Sequence, residues 1–475
     1  MASDKTLRLH RRQGEAFTSA ATEILYGGAA GGGKSHLMRV AAIAWCIAIP
    51  GLQVYLFRRT HPDLWKNHME GPAGFPAMLA DWVNSGLVKI NHGLGQIRFS
   101  NGSKIHLCHC QYPKDVYNYQ GAEIHVLMID ELTHWESGMY RFLRGRCRLG
   151  GLKVPAEMQG RFPRVIAGAN PGGVGHNWVK AEFIDGAAPM AIRRMPDDEG
   201  GLLRQYIPAK LADNPTQTEN DPHYAARLSG LGNAALVRAM LDGDWNIVAG
   251  GMFDDLWSEQ LHVLKPFDVP ASWRIDRAFD WGSSKPFSVG WWAESDGSEV
   301  KMADGATRTF PRGTIVRIAE WYGWNGRPNE GLKMSDSEIA SGIVRREKEL
   351  GLHGRVKPGP ADSSIFDESN GDSPAKIQER HGVRWERADK SPGSRRRGWQ
   401  LMRGRMKAAQ AERMEEPGIF VFDTCSEFIR TVPSLPRSAR DPDDVDTDAE
   451  DHIGDESRYR TLAEKRTASV SSLTI

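Results

Sequence analysis

The feature that most constrains this chain is a glycine-rich segment near its beginning, residues 24–35, with the sequence ILYGGAAGGGKS. Residues 28–35 fit G-x-x-x-x-G-K-[ST], the phosphate-binding P-loop pattern. The apolar residues before it predict a short buried strand. Residues 36–49 are apolar at helical spacing and stop at a Pro-Gly pair. A helix is therefore expected to begin where phosphate oxygens would lie, and its N-terminal dipole favours anions. The pattern alone also occurs by chance, but its strand-loop-helix context predicts a nucleotide site.

Each part of this loop has a predicted task. The glycines let the backbone turn tightly, so that its N–H groups can point at phosphate oxygens. Lys34 is expected at the β- and γ-phosphates, and Ser35 offers a hydroxyl to Mg²⁺. The predicted ligands of ATP in the loop are Gly28, Gly31, Gly32, Gly33, Lys34 and Ser35.

A second motif lies at residues 124–131, with the sequence IHVLMIDE. It predicts an apolar strand that ends in Asp130 and Glu131. At that place Asp130 can hold the Mg²⁺ water shell, and Glu131 can polarise the water that attacks the γ-phosphate. A strand that merely happens to end in two acids is the weaker alternative downstream of a P-loop. The adjacent glutamate indicates the P-loop class with an additional strand between the two motifs, which contains mostly motors and helicases.

Four further polar residues are candidates for the same site. Gln13 precedes the loop and either reads the adenine edge through its amide or lies on the surface of a short helix. Residues 161–171 predict a third strand that ends in Asn170, which either senses the γ-phosphate or is a turn residue before proline. Arg146 and Arg148 are our candidates for an arginine finger that reaches the nucleotide of its own or a neighbouring subunit. Surface or DNA-facing arginines would have the same sequence pattern.

The remaining pattern of the first half predicts an α/β domain. Residues 52–57 predict a buried strand and residues 61–82 a helix. Short alternating runs between residues 87 and 107 predict an antiparallel insertion on a parallel sheet. Residues 208–245 read as helical and polar, and end in LDGDW before a glycine pair. We therefore predict a motor domain at residues 1–245, a linker at 246–270 and a second domain at 271–475.

The second half places carboxylates at strand ends and on a late helix. Residues 273–282 predict a strand that ends in Asp280 and opens a three-strand meander, and Asp362 follows a later extended run. Asp451 and Asp455 are four residues apart, so on a helix they share a face. Such carboxylates suit two-metal phosphodiester cleavage, in which they hold two cations about 4 Å apart. The meander followed by a helix suits an RNase H-like fold. Ordinary surface acids are the alternative, since the chain has 60 Asp and Glu residues.

Composition excludes several protein classes. The five scattered cysteines argue against a disulfide framework and for a reducing compartment. The first residues lack the apolar core of a signal peptide, and the longest apolar run is too short to span a membrane. Residues 384–407 are strongly basic and residues 441–456 strongly acidic. These blocks predict a polyanion site near a metal site, and solvated surface is the alternative.

Together these motifs resemble the large terminase subunit of tailed bacteriophages, the motor and nuclease that packages DNA into procapsids. The segments EILYGGAAGGGKS, VLMIDE and AGANP resemble its P-loop, second acidic motif and coupling motif, and LDGDW resembles its interdomain joint. AFDWG, PADSS and DHIGDESRY are similar to its three nuclease motifs. In the third of these, Glu456 stands where the family usually has a small residue. Which acid in residues 450–456 completes the site is therefore open at this point.

The resemblance implies an α/β chain with two domains. The N-terminal domain would be a P-loop ATPase of the ASCE type with a mostly parallel sheet, and the C-terminal domain an RNase H-like α/β nuclease. The implied activities are translocation of double-stranded DNA into the procapsid, driven by ATP hydrolysis, and metal-dependent endonucleolytic cleavage of concatemeric DNA. The implied cofactors are ATP and Mg²⁺, with Mn²⁺ able to substitute in the nuclease site. The implied partners are the portal protein, a small terminase subunit and further copies in a pentameric ring, in the host cytoplasm and not at a membrane.

The resemblance also assigns roles by position. It places Lys34 and Ser35 at the phosphates and Mg²⁺, Asp130 and Glu131 at the metal and the attacking water, and Asn170 in coupling. The metal ligands that it implies for the nuclease are Asp280, Asp362, Asp451 and Asp455, with Glu320 as a weaker additional ligand.

Two rival functions are open at this point. A helicase-nuclease of DNA repair would need further helicase motifs between the second motif and the joint, and none is clear. An ATPase that acts as a scaffold or switch would leave the late acids merely solvated. The sequence identifies neither the arginine finger, the preferred nuclease metal, the packaging strategy nor the oligomeric state of the free protein.

Overall fold

The computed structural model divides into two compact units, residues 1–250 and 251–475. Residues 246–250 of the predicted linker, and most of the predicted helical stretch between 230 and 240, lie outside the described residues. The residues that the structure describes are 7–229, 237, 241–245, 251–327, 329–368, 371–411, 413–438 and 440–463.

The first unit is built on a nine-stranded sheet with the order β3-β4-β5-β2-β6-β7-β1-β9-β8. The six strands from β5 to β9 in this order pair in parallel, and β3, β4 and β8 add antiparallel edges. The antiparallel insertion predicted from the alternating runs is thus present. The strands are β1 (Glu23–Gly28), β2 (Gln53–Arg58), β3 (Val88–Asn91), β4 (Gln96–Phe99), β5 (Lys104–His109), β6 (Val126–Ile129), β7 (Arg164–Ala169), β8 (Ile192–Arg194) and β9 (Leu203–Ala209).

The additional strand that the second motif indicated is β7, which lies between β1 and β6. All residues of these three strands are buried, as expected for parallel strands covered on both faces. The P-loop follows β1, Asp130 follows β6 and Asn170 follows β7. Because the three strands run parallel, these segments meet at one edge of the sheet. The predicted ASCE-type P-loop architecture is therefore confirmed for the first unit.

The helices of the first unit differ from the sequence prediction in residues 61–82. The single helix predicted for residues 61–82 is wrong: Gly71, Pro72 and Gly74 separate the first short helix from the second, and a third begins at Ala80. The helices are α1 (Arg11–Thr18), α2 (Lys34–Ala48), α3 (His61–His68), α4 (Phe75–Met78), α5 (Ala80–Asn84), α6 (Ser137–Arg144), α7 (His176–Val179), α8 (Pro215–Asn220) and α9 (Tyr224–Ser229).

The second unit has a sheet in the order β10-β19-β15-β12-β11-β17-β18, with β16 also pairing with β11. Strands β11, β12 and β15 form the predicted antiparallel meander, and β17 and β18 continue in parallel beside β11. This is the strand order of the RNase H-like fold. The sequence analysis did not predict the separate hairpin β13-β14. The strands are β10 (Val263–Leu264), β11 (Arg274–Asp280), β12 (Ser288–Glu294), β13 (Glu299–Lys301), β14 (Thr307–Thr309), β15 (Ile315–Tyr322), β16 (Val356–Lys357), β17 (Pro360–Ala361), β18 (Glu386–Arg387) and β19 (Ile419–Phe422).

The core of the second unit contains the fully buried side chains of Trp291, Trp292 and Trp399. Ser335 caps the helix after the meander by accepting a hydrogen bond from the Glu338 N–H. The helices are α10 (Glu259–His262), α11 (Asp336–Glu349), α12 (Pro374–Arg380), α13 (Ser394–Ala409), α14 (Ser426–Thr431) and α15 (His452–Leu462). Every helix in the described ranges is too short or too polar to cross a bilayer.

We expect Leu56→Ala to destabilise the first unit. Leu56 is fully buried on β2, and its truncation removes apolar burial and leaves a cavity, which costs about 2–5 kcal/mol. Leu87→Ala is the control, because that leucine is 51% exposed and should change the free energy of unfolding by less than about 0.5 kcal/mol. Urea denaturation followed by circular dichroism measures both. Equal effects of the two variants would contradict the placement of β2 in the core.

Candidate functional site

A cavity of about 890 Å³ lies at the edge of the first sheet where the P-loop begins. Its volume is within the range of small-molecule binding pockets. Gly28, Gly32 and Asp130 were predicted with the site but are not among the residues that line the cavity. The predicted residues that do line it come from all three motifs and are Gln13, Gly31, Gly33, Lys34, Ser35, Glu131 and Asn170.

The loop conformation explains why the sequence needs glycine here. Gly31 and Gly33 have φ values of 76° and 77°, in the left-handed region that side chains disfavour. Helix α2 begins directly after Gly33, so the unpaired N–H groups of its first turn lie beside the cavity. This arrangement suits a phosphate group.

Gln13 is almost fully buried, so the surface alternative for this residue is wrong. Its Nε2 donates a hydrogen bond to the carbonyl of Gly33 at 2.9 Å, and its Oε1 accepts one from the backbone N–H of His10 at 2.8 Å. Gln13 therefore braces the P-loop. Its role in reading adenine stays a prediction.

Lys34 joins the first motif to the third. Its Nζ donates hydrogen bonds to Asn170 Oδ1 at 2.6 Å and to the carbonyl of Ala29 at 2.9 Å. Thr133, which follows the second motif, donates its hydroxyl to the carbonyl of Asn170 at 2.9 Å. The three motifs are thus linked by hydrogen bonds at the place where a γ-phosphate would bind.

Asp130 offers an oxygen that fits a cation. Its Oδ2 accepts hydrogen bonds from Ser35 Oγ at 3.3 Å and from His68 Nε2 at 3.1 Å. Burial opposes ionisation, but His68, Arg58 and Lys34 together lower the pKa of Asp130. Its Oδ1 is buried and has no hydrogen-bond partner in the described parts of the chain. The ionised Asp130 carboxylate and the Ser35 hydroxyl beside it together offer oxygen ligands, which Mg²⁺ prefers.

Glu131 has a strained backbone. Its φ of 59° is positive, which is uncommon for a residue other than glycine. Such strain concentrates at functional sites, where the surrounding structure enforces it. The side chain is partly exposed, lines the cavity and lies 4.0 Å from Arg58. Glu131 can therefore accept a proton from a water molecule in the cavity.

Arg146 and Arg148 lie near the beginning of strand β6, at the end opposite to Asp130. The N–H of Ile124 bonds the carbonyl of Arg146 at 3.2 Å, and the N–H of Arg148 bonds the carbonyl of Ile124 at 3.0 Å. Ile124 precedes β6 whereas Asp130 follows it, a separation of about 20 Å along the strand. This placement excludes contact with a nucleotide on the same chain's P-loop. Contact with a neighbouring subunit's nucleotide stays a prediction.

Sequence reasoning assigned no role to Arg58 and His68, which both contact Asp130. Arg58 Nε lies 3.7 Å from the carboxylate, and His68 is fully buried. Arg58 is the last residue of β2, and a cation at the end of a parallel strand is a signal that could have been used. His68 gives no such signal, because it ends a helix outside every motif.

The second unit brings four predicted carboxylates into one cluster. Asp280 ends β11, and Asp362 follows β17, where its N–H bonds the carbonyl of Phe279 at 2.9 Å. Asp451 and Asp455 lie at the beginning of α15, which packs against β11. Burial raises the pKa of Asp280 and outweighs its hydrogen bond with His452, and the Asp455 and Asp362 carboxylates act in the same direction.

Cationic side chains lie among these carboxylates. Arg395 Nη1 bonds both oxygens of Asp455, at 2.8 and 3.1 Å, and its Nη2 bonds Asp451 at 3.0 Å. Lys390 Nζ bonds Asp362 at 2.7 Å. Within the described ranges, no group of three or more His, Cys, Asp or Glu residues is already placed to hold a metal ion.

The donor chemistry nevertheless fits divalent cations. Burial, together with the neighbouring Asp455 carboxylate, raises the pKa of Asp451 to about 7. Crowded carboxylates of this kind are stabilised by positive charge, and carboxylate oxygens suit Mg²⁺ and Mn²⁺. Asp280, Asp362, Asp451 and Asp455 are the residues that would hold such ions. Arg395 and Lys390 supply the positive charge in this structure.

The other acids near the third motif have structural partners. Glu456 is fully buried, forms an ion pair with Arg317 and accepts a hydrogen bond from Trp292 Nε1 at 2.8 Å. Glu450 bonds Arg430 through both oxygens, at 2.8 and 2.9 Å. Of the acids in residues 450–456, Asp451 and Asp455 therefore remain as the candidates that complete the second site.

Glu320, the weaker ligand implied by the resemblance, is a helix cap. Its carboxylate accepts the backbone N–H groups of Glu427 at 2.7 Å and Phe428 at 3.1 Å, in the first turn of α14. These bonds satisfy N–H groups that have no partner inside the helix. Glu320 therefore stabilises α14.

The basic and acidic blocks of the sequence neutralise each other in part. Besides the pairs made by Arg395, Arg396 pairs with Asp441 at 2.6 Å, and Arg397 pairs with Asp389. The charge pattern alone predicted a polyanion site at residues 384–407. Several of these basic side chains are paired with carboxylates, so the segment as a whole is not a free phosphate-binding surface. Sequence composition does not show which charges are paired.

We expect Glu456→Ala to destabilise the second unit strongly. The variant removes one of the two carboxylates that pair with the buried Arg317 and leaves only Glu320, at 3.3 Å, and breaking such a buried pair costs about 3–5 kcal/mol. Asp441→Ala removes the acid of a pair whose arginine, Arg396, is 58% exposed, and should cost less than about 1 kcal/mol. Chemical denaturation measures both free energies of unfolding. If Glu456→Ala behaved like its control, Glu456 would not be the buried partner of Arg317.

We expect Arg395→Gln to make the stability of the protein more dependent on divalent cations. Without Arg395, Asp451 loses its ion-pair partner and Asp455 keeps only Arg458, so the apparent Tm without metal should fall by several degrees, for a loss of about 1–3 kcal/mol. Added Mn²⁺ should then raise Tm more in the variant than in the wild type, because it restores the missing positive charge. Arg397→Gln, which removes a more exposed pair, is the control. An equal response to Mn²⁺ in all three proteins would contradict the assignment.

The comparisons with known proteins agree with the motifs of the first unit. Residues 25–153 match the family model described as terminase large subunit, T4likevirus-type, N-terminal. No curated protein matches the chain significantly in sequence.

Solved structures of phage large terminases are also similar to the chain. The large terminase of a thermophilic bacteriophage in complex with ADP is 15% identical, with coverage of 95% of this chain and 98% of that chain and a TM-score of 0.39. The HK97 bacteriophage large terminase is 11% identical, with coverage of 96% and 95% and a TM-score of 0.43. The P22 large terminase nuclease domain is 15% identical, with coverage of 45% and 91% and a TM-score of 0.32. The family model therefore confirms, over residues 25–153, the resemblance to large terminase subunits that the motifs indicate.

Proposed function

We propose that this chain is a viral DNA-packaging motor, which translocates double-stranded DNA into a procapsid by ATP hydrolysis and cuts concatemeric DNA in a metal-dependent endonuclease site. The observation that carries the proposal is the presence, in one chain, of two different sites built from carboxylates. One is the P-loop cavity lined by Lys34, Ser35 and Glu131, with Asp130 bonded to Ser35, and the other is the cluster around Asp280 on an RNase H-like sheet.

In the first site, Lys34 would bind the β- and γ-phosphates of ATP, and the backbone N–H groups of the P-loop would surround their oxygens. Asp130 and Ser35 would hold Mg²⁺, which when bound screens the charge of the phosphates. Glu131 would accept a proton from the water that attacks the γ-phosphate. Its partly exposed position on the cavity wall allows that contact.

Asn170 would couple the nucleotide state to movement. In this structure Lys34 donates a hydrogen bond to Asn170 Oδ1. A γ-phosphate competes for the same ammonium group and leaves the Asn170 side chain free to bond the phosphate or water instead. The Asn170 carbonyl is bonded to Thr133, so the change would reach the segment that carries Glu131.

In the second site, Asp280, Asp362, Asp451 and Asp455 would hold one or two divalent cations. When bound, Mg²⁺ or Mn²⁺ stabilises the attacking and leaving oxygens of phosphodiester cleavage. Because Arg395 bonds Asp451 and Asp455 in this structure, metal binding would require that the guanidinium leave these carboxylates. The freed guanidinium would then be available to a DNA phosphate.

The partners follow from the same proposal. Double-stranded DNA is the polymer that the motor would move and that the second site would cut, and a portal protein, a small terminase subunit and a pentameric ring of this chain would form the packaging assembly in the host cytoplasm. Arg146 or Arg148 would then be the finger that reaches the nucleotide of the next subunit, since neither reaches its own P-loop. A double variant with Arg146→Ala and Arg148→Ala, mixed with the wild type, tests that contact through the rate of ATP hydrolysis by the mixture.

The test separates the two activities. Glu131→Gln should lower ATP hydrolysis by about 100-fold or more, the typical contribution of a general base, and leave plasmid cleavage in Mn²⁺ intact. Asp280→Asn should abolish cleavage and leave hydrolysis intact. Phosphate release and conversion of supercoiled to nicked or linear plasmid measure the two reactions. Loss of both activities in each variant would contradict two independent sites.

Translocation is tested by displacement of a triplex-forming oligonucleotide from a duplex. The wild type and Asp280→Asn should displace it in ATP, and Glu131→Gln should not. Unwinding of a forked duplex, with no displacement of the third strand, would favour the helicase-nuclease instead. Hydrolysis without either reaction, and without cleavage, would favour the scaffold or switch.

A further inference from the structure

His68 is a buried histidine between the phosphate-binding helix and the second motif. It is the last residue of α3 and its side chain is fully buried. Its Nε2 lies 3.1 Å from Asp130 Oδ2, and its Nδ1 lies 3.5 Å from Arg39 Nη1. Arg39, on α2, also donates a hydrogen bond to the carbonyl of Asn67 at 2.8 Å. The imidazole therefore has a polar partner on each nitrogen.

These partners assign the tautomer of His68. A guanidinium has only donors, so His68 Nδ1 must accept the hydrogen bond from Arg39. The proton of the neutral ring is then on Nε2, which donates to Asp130.

The hydrogen bond from His68 holds the Asp130 carboxylate through one of its two oxygens. Oδ2 accepts from both His68 and Ser35, whereas Oδ1 is buried and has no partner among the described residues. A carboxylate held through one oxygen has a fixed rotation about its Cβ–Cγ bond. Partners of this kind orient metal-binding side chains.

The same contacts connect Asp130 to the cavity. Arg39 and Asn67 both line it, together with Lys34 and Ser35. Arg39, Lys34 and Ser35 belong to α2, whereas His68 ends α3. His68 thus lies where the helix that begins at the phosphates meets the carboxylate of the second motif.

We propose that His68 is a positioning residue that holds the Asp130 carboxylate beside Ser35 for the divalent cation of a bound nucleotide, with Arg39 setting its tautomer. This inference rests on the proposed nucleotide site. It predicts that the N–H group of residue 68, and not its volume alone, controls how tightly the protein uses Mg²⁺.

Two variants separate these contributions. His68→Leu fills the space but removes the donor, and His68→Gln keeps an amide N–H that can reach Asp130. His106→Leu is the control, because His106 lies on β5 and is not among the residues lining the cavity. The readouts are binding of the fluorescent nucleotide mant-ATP as Mg²⁺ is titrated, kcat and KM of ATP hydrolysis, and Tm.

In His68→Leu, the Mg²⁺ concentration for half-maximal mant-ATP binding should rise about 10- to 100-fold, the usual effect of losing a partner of a metal ligand. Binding of mant-ATP without Mg²⁺ should not change. His68→Gln should stay within about threefold of the wild type, since it restores the donor. The control should match the wild type.

An unchanged Mg²⁺ requirement in His68→Leu would overturn the inference, even if Tm fell, because a purely structural histidine behaves in that way. An equal shift in His68→Gln and His68→Leu would also overturn it. If the wild type bound mant-ATP with Mg²⁺ but neither hydrolysed ATP nor moved along DNA, the proposed function would fail while the role of His68 was still decided by the binding titration. If it bound no nucleotide, both would fail.

Discussion

The rest of this structure depends on how buried carboxylates at strand ends are neutralised. An ionised carboxylate that leaves water without a partner is strongly destabilising, so each one needs hydrogen-bond donors or positive charge nearby. In the first unit His68, Arg58 and Lys34 supply these for Asp130, and the pKa of Asp130 is lowered. In the second unit burial and the closeness of the carboxylates to one another outweigh their partners, and the pKa values of Asp280 and Asp451 are raised instead.

This difference suggests two kinds of cation site. In the first, the chain leaves one oxygen of a single carboxylate unpaired beside a phosphate-binding loop. A single Mg²⁺ that is also bound by phosphates suits that arrangement. In the second, Asp444, Asp451 and Asp455 share the guanidinium of Arg395, and Lys390 pairs with Asp362. Additional positive charge from divalent cations would stabilise such crowded carboxylates.

The sequence predicted many features of the fold and of the sites, because motifs and hydrophobic periodicity lie within short segments of the chain. The P-loop, the Asp130-Glu131 pair, the intervening strand and the β11-β12-β15 meander all follow from short segments. The sequence missed contacts between distant segments: His68 and Asp130 are 62 residues apart, and Arg395 and Asp455 are 60 apart. It also missed the breaks in the predicted 61–82 helix. Residues 71–76 contain two prolines and two glycines, but the apolar spacing was given more weight. The partners of Glu456 and Glu320 were not predictable, because the sequence does not distinguish a buried acidic residue from a solvated one.

The central claim is that the cluster around Asp280 is a divalent-cation site in which Arg395 substitutes for the metal. Anomalous X-ray scattering from crystals soaked in Mn²⁺ tests it most directly. The account predicts anomalous density among Asp280, Asp362 and Asp455, with the Arg395 guanidinium moved away from Asp451 and Asp455. Mn²⁺ bound elsewhere in the same crystals, with no density in the cluster and Arg395 still bonded to both carboxylates, would contradict it.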